Sequence, residues 1–183
     1  MTNTIRGVRA EEWPQVRELR LAALRDPVAH LAFLDTYELA SARPDEFWQE
    51  RTRGGAEGVT NRQFVAEDPD GRWLGSVTAL IELPGVEGAF GDAPEVAQTH
   101  IVGVYVRPEA RGAGLAEALF GAALDWSWGL TDPRIERVRL FVHQDNGRAE
   151  ALYTRVGFRR TGVWVPVPTD ESRRENELAV TRP

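Results

Sequence analysis

The chain has 183 residues, is 42% hydrophobic and 27% charged, and carries a formal net charge of −6. It contains no cysteine, no lysine (all 22 basic residues are Arg) and three histidines, His30, His100 and His143. These absences exclude disulfides, a covalent thiol intermediate, Schiff-base chemistry and a Walker-type phosphate loop; the scattered histidines give no zinc site, and no metal is expected.

A chain this long buries roughly 70% of its unfolded surface around one core, so residues 1–183 read as a single domain. The acidic balance argues against a nucleic acid partner. No apolar run is long enough for a membrane span, and residues 1–8 lack the apolar core of a signal peptide. The protein reads as cytoplasmic.

Residues 5–9 form a short predicted strand. A helix follows over 11–24, because Trp13, Val16, Leu19, Arg20, Ala23 and Leu24 recur at helical spacing, and Asp26-Pro27 ends it. Pro44-Asp45-Glu46 opens another helix, and Arg53-Gly54-Gly55 with Gly58 reads as a loop. Strands are predicted over 63–67 and 73–82, joined by the turn Asp68-Pro69-Asp70-Gly71. A loop over 84–94 precedes a strand over 99–106. Leu115, Ala118, Leu119, Ala122 and Trp126 then share one helical face, and Asp132-Pro133 breaks the chain. A strand over 137–142, a helix over 146–156 closed by Gly157, and strands over 158–165 and 175–181 joined by a proline-bearing loop complete the order. Hairpins in the first half imply antiparallel pairing; strand–helix–strand in the second implies a parallel pair.

The junction after Val106 carries the most chemistry. A strand stops at Pro108, crosses Arg111-Gly112-Ala113-Gly114, and a helix begins at Leu115. The first amides of a helix have no internal partner, and glycines let a ligand approach them, so the junction is a ready anion site. Arg111 opposes the helix dipole unless something negative sits beside it, and a bound phosphate would do so. The glycines alone are equally compatible with a softened turn. Nicotinamide dinucleotides are disfavoured, since Glu117 takes the place of the third glycine of their fingerprint. Gly103, inside a strand, marks a bulge or a packing glycine.

Val106-x-Pro108-x-x-Arg111-Gly112-x-Gly114-Leu115-Ala116 resembles motif A of the GNAT superfamily of N-acetyltransferases, with Arg111, Gly114 and Ala116 in the places of its Arg/Gln-x-x-Gly-x-Gly/Ala core. Asn146-x-x-Ala149-x-x-Leu152-Tyr153-x-x-x-Gly157-Phe158 is similar to that family's motif B at every position. The resemblance implies a mixed, mostly antiparallel α/β (α+β) sheet of about seven strands flanked by about four helices and splayed between the fourth and fifth strands. It implies acetyl-CoA as cosubstrate, its diphosphate on the amides of Arg111, Gly112, Ala113, Gly114, Leu115 and Ala116. Its pantetheine arm would lie along Val104, Tyr105 and Val106 and against Asn146, with Tyr153 beside the sulfur. The resemblance makes Tyr153 the acid that protonates the departing thiolate; its ordinary pKa of about 10 keeps the phenol protonated at neutral pH. Asn146 also reads as a helix N-cap.

With no cysteine, the amine would attack the thioester directly, with the Val104 amide stabilising the oxyanion. The base that some family members carry on the strand over 137–142 is replaced here by Phe141. Others carry one eleven residues before the motif A Arg, which here is His100, a plausible base near neutrality. Glu82 is a weaker candidate, and His30 and His143 read as surface or loop residues.

The acceptor would be a small-molecule or peptide amine. In the family picture its pocket is built from 26–48, 84–94 and 163–176, where Phe33, Tyr37, Phe47 and Trp48 are candidate linings. Glu82, Glu87, Asp92 and Glu95 would suit a cationic amine, or simply a solvated loop. A homodimer fits family habit. The competing readings are a catalytically idle acyl-CoA sensor on the same fold, and an interaction domain whose loop binds only phosphate.

Overall fold

Alternation along the strands sorts side chains onto two faces: in one strand Phe64 and Ala66 enter one core while Val65 enters the other. The computed structural model describes residues 2–88 and 92–183. Its strands are β1 (Thr4–Gly7), β2 (Asn61–Glu67), β3 (Trp73–Glu82), β4 (Gln98–Val106), β5 (Arg137–His143), β6 (Arg159–Val167) and β7 (Asp170–Thr181). Its helices are α1 (Trp13–Leu24), α2 (Tyr37–Ser41), α3 (Asp45–Glu57), α4 (Leu115–Gly129) and α5 (Gly147–Arg155). Among the described residues there are five α-helices where about four were expected, the extra one being the five-residue α2.

Among the described residues the seven strands lie in the order β1-β2-β3-β4-β5-β7-β6, and only β4 and β5 run parallel. Helix α4 buries Leu115, Leu119, Phe120 and Ala123 against one face of the sheet. On the other face Val16, Leu19 and Ala23 of α1 meet Trp48 of α3 and Trp73 and Tyr105 of the sheet. Each fully buried side chain of this size contributes about 1.5–3 kcal/mol.

Two features position the site. Pairing of β4 with β5 holds only at Gln98–Arg137, Thr99–Val138 and His100–Arg139, after which the strands part. Against β3, Ser76 faces Tyr105 while Thr78 faces Val102, so β4 carries one extra residue there. Gly103 sits in that bulge at φ +64°, and a Cβ on it would meet nothing within 4 Å. Its backbone, not crowding, requires glycine.

Two expectations are corrected. Residues 53–57 continue α3, because Trp48, Thr52 and Gly55 form its buried stripe, and Gly58 ends the helix in the left-handed conformation. Strands β6 and β7 run to Val167 and from Asp170, with no long loop between them. Pro166 is accommodated because β6 is the sheet's edge, where a missing N–H costs no ladder bond. Part of the predicted 84–94 loop, residues 89–91, lies outside the described residues.

Candidate active site

Where β4 and β5 part, two cavities open. The outer cleft, about 490 Å³, is lined by Val104, Tyr105 and Val106 of β4, by Arg111, Gly112, Gly114, Leu115 and Ala116 of the junction, and by Asn146 and Tyr153 of α5. Ten of the eleven residues expected to hold the cofactor therefore face one space; Ala113 does not line it. The inner cavity, about 470 Å³, reaches from α1 and α3 across β4 to β5 and β7. Ala32, Phe33, Val104, Asn146 and Tyr153 line both.

Gly112 and Gly114 take φ of +82° and +75°, with open space where a Cβ would sit, so the loop needs glycine for its backbone turn. Helix α4 starts at Leu115. Among the described residues no amide N–H from Gly112 to Glu117 donates to a protein acceptor; the Ala118 amide is the first to do so, to Gly114. That leaves a fan of donors at a helix N-terminus.

Arg111 differs from its expected role. Its Nη2 donates to Asp26 Oδ2 at 2.5 Å and its Nε donates to the Val106 carbonyl at 2.9 Å. The charge that opposes the α4 dipole is thus already neutralised by Asp26, and no phosphate is needed for that purpose. Burial pulls the Asp26 carboxyl up, but the bonds from Arg111 and the Val28 amide outweigh it and hold it below the usual range. Arg111 braces the loop; the amides are what remain free.

Asn146 caps α5, its Oδ1 accepting from the Ala149 amide at 3.2 Å. Two helical turns on, Tyr153 packs against Phe120, ring centres 5.4 Å apart. Apolar surroundings push its phenol up to about 12, so it stays protonated across the physiological range. Gly157, at φ +106°, ends this region of helix and seats the fully buried Phe158.

His100 lines the inner cavity but is only 2% exposed. Its Nδ1 stands 3.6 Å from Glu82 Oε2, and its ring lies 5.6 Å from that of Phe141. Burial holds the imidazole below its ordinary value, against the pull of Glu82.

Glu82 is ruled out as a base. Arg139 grips its two oxygens at 2.8 and 2.7 Å, and Gln98 donates to it at 2.9 Å. Burial works to raise the carboxyl, yet hydrogen bonds from His100 and Arg139 bring it down to about 2. Arg139 also donates to Glu177 on β7 at 3.1 Å. The network ties β3, β5 and β7 together at the end of the splay that stays closed.

His143 is buried rather than on the surface; its Nδ1 accepts from the Asp145 amide at 3.1 Å. His30 is exposed, as expected. Of the four aromatic candidates for the acceptor pocket only Phe33 lines it; Trp48 is core, with Phe47 and Tyr37 packed beside it. The acidic set expected to favour a cationic amine is absent from the cavity lining among the described residues.

Sequence reasoning missed Glu175. It lines the inner cavity from β7, opposite His143 in the ladder, and burial raises its pKa. The signal was an acidic residue in a strand that ends against the motif B strand, unreadable without the β5–β7 pairing. Asp26 was missed as well, having been read only as a helix terminator.

A profile of the acetyltransferase (GNAT) family matches residues 13–158. The chain belongs to that family. Among curated proteins it is similar to mycothiol acetyltransferase of Arthrobacter sp. (strain FB24), 36% identical over 97 residues, 53% of this chain and 27% of that protein. The enzyme of the same name from Salinispora arenicola (strain CNS-205) is 37% identical over 99 residues, again 53% of this chain and 28% of that protein. The chain thus matches little more than a quarter of the length of these relatives. Among solved structures, Arabidopsis thaliana NAA60 in complex with acetyl-CoA superposes with a TM-score of 0.70 at 19% identity, over 99% of this chain and 100% of that one. Spermidine N-acetyltransferase from Vibrio cholerae in complex with CoA and spermine gives 0.69 at 18% identity, over 98% and 95%. The fold is shared with both. No described helix is long and apolar enough to cross a membrane.

Proposed function

We propose that the chain transfers an acetyl group from acetyl-CoA to a primary amine held in the inner cavity, in one direct step and in the cytoplasm. The observation that carries this reading is the meeting of two cavities at Val104, Asn146 and Tyr153: donor and acceptor would reach one point from opposite sides. In support, the free amides from Gly112 to Glu117 suit a diphosphate, and β4 beyond His100 offers main-chain groups that β5 leaves unpaired.

In this reading the amine nitrogen bonds the acyl carbon, and the Val104 N–H donates to the oxyanion. The carbon–sulfur bond breaks, the thiolate takes the Tyr153 proton, and water restores the phenol. The proton of the new ammonium leaves by one of two groups in the cavity. Glu175 is the stronger, because accepting a proton there relieves a half-buried charge. His100 is the second, able to accept only by forming an imidazolium at the buried foot of the cavity beside Glu82 and Arg139.

The test is release of free thiol from acetyl-CoA across a panel of primary amines. Amine-dependent release supports the transfer. Tight acetyl-CoA binding with no release for any amine fits the idle-sensor reading instead and overturns this one.

A further inference from the structure

The helical wall of the inner cavity holds two cations that the transfer chemistry does not use. Arg20 stands within the apolar stripe of α1, between Val16, Leu19 and Ala23, and stacks over Phe33 with its guanidinium 4.4 Å from the ring centre. Arg51 faces the same cavity from α3. Asp35 is the acid nearest to them in its effect, but Arg43 holds it at 3.3 Å and the Thr36 amide donates to it at 3.0 Å. Among the described residues neither Arg20 nor Arg51 has an ion-pair partner. Glu50, also on the lining, is exposed, and Glu175 stands on the far wall opposite His143 in the β5–β7 ladder.

Arg20 is part-buried and Arg51 exposed at the cavity mouth; two guanidiniums facing one cavity repel each other, and an anion between them would relieve that repulsion. Burial, with the charge of Arg51 beside it, pushes the part-buried Arg20 guanidinium down to about 10. The guanidinium fork matches a carboxylate in two parallel hydrogen bonds. Phe33 reaches both cavities, so Arg20, stacked on it, stands close to where the donor's acyl end would lie.

We infer that the acceptor is a primary amine that also carries a carboxylate, its carboxylate held by Arg20 and Arg51 and its amine directed past Phe33 toward Tyr153 and Glu175. This rests on the acetyl-transfer reading. The cavity is then polarised to match its substrate: cations on the α1–α3 wall, an acid on the β7 wall.

The experiment compares kcat/KM for a panel of α- and ω-amino acids with that for their primary amides, in the wild-type protein and in R20M and R51M. Loss of a charge-assisted bond of this kind weakens binding by about tenfold or more, so acids should be preferred over amides by that factor. Each variant should raise KM for the acid by about tenfold while leaving KM for acetyl-CoA and turnover of the amide unchanged, and R51K should restore part of the loss. Equal use of acids and amides, or a loss that falls alike on both, would overturn the inference. So would preference for phosphoethanolamine over every amino acid, which would make the anion a phosphate. Calorimetric binding of the same panel keeps the inference testable if nothing turns over: acids binding to wild type but not to R20M or R51M support it even as the transfer reading fails, and acids binding no better than amides refute it.

Discussion

Arg111 and Asp26, 85 residues apart in the chain, close the lip of the outer cleft through a 2.5 Å hydrogen-bonded ion pair. The Asp26 carboxylate is only 6% exposed, so removing Arg111 would strand it next to the amides that are to hold a diphosphate. R111A is therefore expected to weaken acetyl-CoA binding by about tenfold, and R111A/D26A to recover part of that loss because the orphaned charge goes too. Titration calorimetry on the four proteins of the cycle measures this; simple additivity of the two losses contradicts it.

Tyr153 lines the donor cleft, and its assigned work there is proton delivery. Y153F should lower kcat by about a hundredfold or more, with little change in the affinity for acetyl-CoA. Because burial pushes the phenol up to about 12, its deprotonation should produce no alkaline loss of kcat within the range where the protein stays folded. A fall in kcat near pH 9 in the wild type that disappears in Y153F would be the contrary result.

The Glu82–Arg139–Glu177 network makes a prediction about acid stability. Glu82 has a folded pKa of about 2 against an ordinary 4.5, so its contribution is fully present above 4.5 and is lost as pH falls toward 2. Its size is about 3 kcal/mol. Thermal melts of E82Q and wild type should thus differ most near neutrality and converge as pH falls from 4.5 toward 2. R139L, which leaves two carboxylates buried, should cost about 3–5 kcal/mol at pH 7.

Gly114 caps α4 at φ +75°, where a side chain is strained by its own backbone. G114A should destabilise the fold by about 1–2 kcal/mol and weaken acetyl-CoA binding, since relaxing φ turns the amide fan away from its target. Chemical denaturation and calorimetry report the two effects separately. Unchanged values for both would show that the loop tolerates another turn.

Most of the fold was legible because its elements announce themselves locally. The stripe Leu115–Leu119–Ala123 and the glycines before it mark α4, and Asn146 and Gly157 bracket α5. Gly103 was only half legible, since a glycine inside a β-rich run marks either a bulge or a packing site, and its φ of +64° decides for the bulge. Pairings between distant segments were not legible. Nothing in the order of β6 and β7 says that β7 lies inside, beside β5, so Glu175 could not be placed in the cavity. Asp26 beside a proline looks like a stop signal until α1 is seen to end at the cleft. Residues 53–57 misled for a different reason: their glycines serve packing, since a Cβ at Gly55 would come within 3.1 Å of the Gln63 side chain. Arg20 did carry a sign, a cation inside an apolar stripe, but only the cavity gives that sign its meaning.

The central claim is that free main-chain donors between Gly112 and Glu117 hold the diphosphate of acetyl-CoA. The most direct measurement is a ¹⁵N–¹H correlation titration of the assigned protein with CoA. The account predicts that the largest shifts fall on the amides of Gly112 through Glu117, with smaller ones on Val104 and Asn146. Shifts confined to another surface, with these six amides unmoved at saturation, would contradict it.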